Sequence, residues 1–220
     1  MSLFKQASAA LVLACAVATA TAAPAVISSY DITGTQPSGT GGWSHSYTGT
    51  MLGNTYTGGS GTLNDGLAPG SEQNNHLFFF SDNPVITLHL AESTKVNSID
   101  ILGGLLSGNA IPGTLNGWSV TIGGQAVSLT SVGFSPSCAS GPCDDRVSLI
   151  GTGLEFIATQ TIVLSQFTGI GGQWPNHFSA SEIVVNGTTA VPEPEAFAMV
   201  ASGLALMALA RARQQRRRQG

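Results

Sequence analysis

The chain has 220 residues with eight Lys or Arg and twelve Asp or Glu, so 9% is charged, against roughly 25% in ordinary soluble domains. Five of the eight cations lie between Arg211 and Arg218. Residues 24–190 therefore hold two, Lys95 and Arg146, against ten acids, a formal charge of −8. Without a basic surface that region excludes nucleic acid as a partner, its aromatic and β-branched content excludes disorder by charge repulsion, and its length suits one domain.

In chain order, Lys5 precedes an almost unbroken apolar run from Ala9 to Ala18, and Ala20-Thr21-Ala22 matches the small-x-small cleavage pattern. Residues 1–22 thus read as a secretory signal peptide cut after Ala22. The apolar run is too short for a retained membrane anchor. A lipoprotein is the second alternative, since Val12-Leu13-Ala14-Cys15 loosely resembles a lipobox in which Leu13 fits poorly.

Residues 23–190 carry strand signals at short spacing, separated by Gly, Asn, Ser and Pro. The predicted strands are Ala25–Ile32, Trp43–Thr50, His76–Phe80, Val85–Leu90, Val96–Leu102, Gly117–Ile122, Ala126–Val132, Arg146–Ile150, Gln160–Phe167 and Phe178–Asn186. Period-2 alternation sets Val85, Thr87 and His89 opposite Ile86, Leu88 and Leu90, and Trp118, Val120 and Ile122 opposite Ser119 and Thr121. Gly123-Gly124-Gln125 is a tight hairpin turn. The pattern predicts an all-β domain, an antiparallel β-sandwich with one wetted face per sheet.

The order of pieces also resembles galactose-binding-like (discoidin-type) jelly rolls, a group that includes many carbohydrate-binding modules. The matching pieces are Leu63-Asn64-Asp65-Gly66, Val85–Leu90, Val96–Ile101, Gly117–Ile122, Thr159–Leu164 and the closing Phe178–Val185, spanning roughly residues 60–187. The terminal disulfide of some discoidin-type members has no counterpart, which does not support a lipid-binding or adhesion role. The resemblance implies that Asp65 and Glu182 lie together and hold a structural calcium ion, with Asn64 and Gly66 adding oxygens. The plainer reading, favoured on residue chemistry alone, is a turn at Asp65-Gly66 with Glu182 exposed on a strand.

Cys138 and Cys143 are the cysteines left once Cys15 is removed with the signal, and in an oxidising compartment they read as a disulfide closing a small loop. A metal pair is the rival reading, without a nearby His to complete it. In the loop 171–177, Trp174, Asn176 and His177 offer a stacking face and hydrogen-bonding groups for a sugar, with Trp43 and His45 as a second patch. The alternative reading of Trp174, a plug over the sandwich, is somewhat favoured. No H-E-x-x-H, G-x-S-x-G or P-loop motif occurs.

The C-terminus reads Val191-Pro192-Glu193-Pro194, then an uncharged span at 196–210, then Arg211, Arg213, Arg216, Arg217 and Arg218. As a helix the span rises about 22 Å against a hydrocarbon core of about 30 Å. Snorkelling arginines and local thinning cover part of that gap. The Arg cluster places itself in the cytoplasm and residues 23–190 on the far side. The alternative, a packed terminal helix, leaves the Arg cluster unexplained. Motif, span and Arg cluster over residues 191–220 resemble a PEP-CTERM sorting signal. The resemblance implies a Gram-negative exported protein with one C-terminal transmembrane helix, inner-membrane-anchored as a precursor and recognised by an exosortase at Pro192, Glu193 and Pro194. It also implies a destination at the cell surface or in the extracellular matrix and biofilm, where exopolysaccharide is the expected partner. The reading is of a non-catalytic protein with no cofactor beyond that calcium. Its alternatives are a glycan-cleaving enzyme on a jelly-roll scaffold, using carboxylates such as Asp82, Glu155 or Glu182, or a structural matrix protein without a specific ligand.

Overall fold

A computed structural model describes residues 23–34, 45–53, 55–67, 77–79, 84–103, 114–130, 143–170 and 178–189, with a few positions from 203 to 215. The strands are β1 (Ala23–Ala25), β2 (Ile27–Thr33), β3 (Thr50–Leu52), β4 (Thr55–Gly59), β5 (Leu77–Phe79), β6 (Val85–Gly103), β7 (Thr114–Ile122), β8 (Gln125–Thr130), β9 (Cys143–Ser148), β10 (Ala158–Ile170), β11 (Phe178–Ala180) and β12 (Glu182–Thr189). Among the described residues every strand pairing is antiparallel.

The 19-residue β6 belongs to two layers. Its first half pairs with β2 and β10, within a layer ordered β3-β4-β2-β6-β10-β7-β8. Its second half pairs with β12 and β9, and β1 flanks β12. Strands β7 and β9 touch without sharing a ladder, so the layers meet across their apolar faces. One core results, with Ile86, Leu88, Trp118, Val120, Ile162 and Leu164 from the large layer and Ile99, Ile101, Val147 and Val185 from the small one. Phe79 and Phe178 stack at 4.7 Å where β5 and β11 cover one end.

The expected break between Val85–Leu90 and Val96–Leu102 does not occur. The strand continues through an irregularity: Leu90–Ser93 lie opposite Gln160 alone in the β10 ladder, and Thr94 and Lys95 then pair on both sides, with Thr159 and Ala158 of β10 and with Thr189 and Thr188 of β12. The expected hairpin turn shortens to Gly123-Gly124, because Gln125 already pairs with Ile122. Both turn glycines hold positive φ, +58° and +79°, the two-residue turn whose twist matches the flanking strands. Strand β4 was not predicted. Its Gly58-Gly59 dipeptide argues against a strand, yet at Gly59 a Cβ would strike the Gly49 backbone, so glycine is what that close approach requires.

The signal peptide 1–22 lies outside the described residues, and so does most of the span 196–210. Among the described residues no helix is long and apolar enough to cross a membrane.

Candidate functional site

Of the residues singled out by sequence, Trp43, Trp174, Asn176 and His177 lie outside the described residues. So do Cys138, Val191, Pro192, Glu193, Pro194, Arg213, Arg216, Arg217 and Arg218. Cys143 begins β9, and Arg211 is exposed on a helical segment. His45, the companion of Trp43, is half-buried with Nε2 3.0 Å from the Tyr56 hydroxyl, and burial holds its pKa below the ordinary histidine value.

Asp65 and Glu182, 117 positions apart in sequence, do meet. The Gly66 N–H donates to Glu182 Oε2 at 3.0 Å, and the Ile183 N–H donates to the Leu63 carbonyl at 2.9 Å, pinning the 61–67 turn to the closing strand. The favoured expectation of an exposed Glu182 is overturned: it is 8% exposed. Burial pushes its carboxyl up to about 7, and although the Gly66 amide opposes this, the neighbouring Asp65 carboxylate adds to it. Two touching acids, one of them desolvated, suit a shared proton or a hard cation. Calcium takes six to eight oxygens, and among the described residues no group of three or more His, Cys, Asp or Glu occurs. Backbone carbonyls would have to complete the shell. Asn64 is a poor contributor, since its amide oxygen accepts from Gly61 N–H and its amide nitrogen donates to the Ile27 carbonyl, both at 2.8 Å.

An open concavity lies elsewhere, on the outer face of the large layer where β7, β8 and β10 adjoin. This open groove of about 310 Å³ is lined by Asn116, Ser119, Ser128, Thr130, Gln166 and Thr168, with Gly117, Trp118 and Leu129 also contributing. Sequence reasoning named none of these residues as a site. Two opposed irregularities build it. From Ser165 to Thr168 strand β10 advances three residues while β7 moves two, from Ser119 to Gly117; from Thr168 to Gly169, β7 in turn carries one extra residue, Asn116. Each bulge leaves one amide-bearing residue out of the ladder, and both residues line the groove. Gln166 sits at φ +53°, the one non-glycine residue with positive φ among those described. Its side chain is held: Ser119 donates to Gln166 Oε1 at 2.5 Å. That spends the Ser119 proton, so Ser128 must be the donor in the 2.7 Å Ser119–Ser128 contact. The chain of bonds leaves the Gln166 amide N–H groups and the Ser128 lone pairs without a partner among the described residues. No charged side chain lines the groove.

On the same outer face His89 Nε2 lies 2.8 Å from Asp31 Oδ2, and the Gly58 N–H donates to Asp31 Oδ1 at 2.6 Å. Partial burial raises the Asp31 pKa, but His89 and the Gly58 amide outweigh it and leave the carboxylate below its ordinary range. On the small layer Arg146 grips the buried Asp100 through Nε and Nη2 at 2.6 and 2.7 Å. One of the two cations in residues 24–190 is therefore already committed to a carboxylate.

No family model and no curated protein matches the chain. Among solved structures it is similar to a family 32 carbohydrate-binding module of Clostridium perfringens NanJ in complex with galactose, at 14% identity over 57% of this chain and 82% of that one, TM-score 0.36. It is similar to a third such module, from a family 31 glycoside hydrolase of Clostridium perfringens, at 15% identity over 51% and 75%, TM-score 0.35. A pectin-binding carbohydrate-binding module matches at 17% identity over 57% and 80%, TM-score 0.31. At TM-scores this low the likenesses carry neither a fold nor a ligand across to this chain.

Proposed function

We propose that this is an exported, non-catalytic protein of the cell surface or extracellular matrix whose β-sandwich binds polysaccharide. In this reading its C-terminal Val191-Pro192-Glu193-Pro194 signal is read by an exosortase. The observation that carries the binding role is the groove between β7, β8 and β10. It presents amide and hydroxyl donors and acceptors without charge, on a strained residue that a hydrogen-bond chain holds in place. Fixed neutral donors and acceptors suit sugar hydroxyls. A non-glycine residue held in the left-handed region is a common mark of a working site. The acid pair Asp65–Glu182 does not support the glycan-cleaving alternative. Its carboxyls are in hydrogen-bonding contact, closer than the roughly 5 Å that a retaining glycosidase needs. Asp65 and Glu182 would instead hold the structural calcium ion.

Native electrophoresis through gels containing neutral polysaccharides tests the binding role. Wild type is expected to be retarded by at least one polymer, and Gln166→Ala to run as it does in an empty gel. Unretarded migration of the wild type through every polymer would remove the binding role and leave the structural-matrix reading.

A further inference from the structure

Residues on the outer face of the large layer align in rows across its strands. One row is Asp31, Thr87, Val163, Thr121 and Ala126, running from β2 through β6, β10 and β7 to β8. The adjoining row on one side ends in Ser119 and Ser128, within the groove. The row on the other side sets His89 between Ser29 and Thr161. Their neighbours along each strand, Ile32, Leu88, Leu164 and Ile122, are buried, so these rows form the face turned away from the core. Short side chains make up the floor between the two ends. Beyond the groove the rows bear charge only at Asp31 and, when protonated, at His89. With His89 Nε2 on Asp31, its Nδ1 has no partner among the described residues and stands as a hydrogen-bonding group at that end.

The strand spacing fixes the length of this face. Four strand gaps of about 4.8 Å separate Ser128 on β8 from Asp31 on β2, with one row of offset, so the two ends lie about 20 Å apart. We propose that the groove is one end of a longer site, in which an internal stretch of a neutral polysaccharide chain lies obliquely across the strands from Ser128 and Gln166 to the His89–Asp31 pair. This rests on the glycan-binding role of the groove and adds the ligand's form: an extended, uncharged chain rather than a single terminal sugar. The charge of −8 over residues 24–190 acts against a polyanionic chain by repulsion.

The test is titration calorimetry with oligosaccharides of graded length, from disaccharide upward, prepared from whichever neutral polymer retards the protein. Affinity is expected to rise about tenfold or more with length before levelling off. His89→Ala is expected to lose about that factor for long oligosaccharides and nothing for the disaccharide, whereas Gln166→Ala loses both. Val163→Met plants a longer, uncharged side chain on the floor and leaves both residues of the His89–Asp31 pair in place, and the same length-selective loss is expected. It serves in place of His89→Ala should that variant fail to fold by thermal unfolding. Affinity that is flat with length, with both face variants binding like wild type, overturns the long site while leaving the groove intact. Binding of a uronic-acid polymer more tightly than of a neutral one overturns the uncharged ligand. Failure of wild type to bind any of these probes removes the groove's role as well.

Discussion

Gln166 and Glu182 each occupy a position that the fold could fill more stably. For a residue with a Cβ the left-handed region costs about 1 kcal/mol, and Gln166 adopts it at φ +53°. Gln166→Gly is therefore expected to leave the melting temperature unchanged or slightly raised while abolishing polysaccharide retardation. A purely structural role would instead show as a lower melting temperature. For Glu182 the sign follows from proton counts. The unfolded carboxyl titrates near its ordinary 4.5 while the folded one keeps its proton up to about 7. The native state thus binds more protons between those values. Stability is full below the lower value and falls as pH rises, by at most about 3 kcal/mol above the upper one. Thermal unfolding from pH 4 to 8 in chelator should show this decline, and Glu182→Gln should flatten it. Millimolar calcium is expected to restore the loss at pH 8 in wild type and not in the variant.

Strands β7 and β10 show why strict alternation along the sequence does not reveal the groove. Their core positions are Ile162, Leu164 and Phe167 on one strand and Leu115, Trp118, Val120 and Ile122 on the other. A step of three interrupts the step of two in each, between Leu164 and Phe167 and between Leu115 and Trp118. That step is the trace of a bulge, since one extra residue shifts the inward face. The predicted alternation at Trp118, Val120 and Ile122 does hold, and all three are buried. Trp118→Ala is expected to lower stability by about 3–5 kcal/mol, read by chemical denaturation. Thr130→Ala on the exposed groove rim should change stability by no more than about 0.5 kcal/mol and should weaken retardation in neutral polysaccharide gels. The fused β6 teaches the complementary lesson. Ala91–Lys95 looks like a linker until β10 and β12 grip Thr94 and Lys95 from both sides.

For the whole molecule, the antiparallel ladders of β6 bring Asp31 to His89 and Asp100 to Arg146, and the bond from the Ile183 N–H to the Leu63 carbonyl brings Asp65 to Glu182. Export through the inner membrane, proposed from the two chain ends, carries its own check. Intact mass of the secreted protein is expected to lack both residues 1–22 and the Arg211–Gly220 tail. Recovery of full-length chains outside the cell would contradict processing at the C-terminal motif.

The all-β class, most strand positions, the core faces and the acidic, cation-poor character are local properties. Alternation, turn residues and charge count express them within a few residues of one another, so they are readable along the chain. The adjacency of Asp65 and Glu182 was anticipated through a family resemblance, whereas the burial of Glu182 was not, because desolvation depends on which strands cover a residue. The groove and the rows of its outer face belong to the fold alone. They arise from the register between strands remote in sequence, and a one-residue shift in pairing turns a side chain from core to surface without altering a letter of the chain.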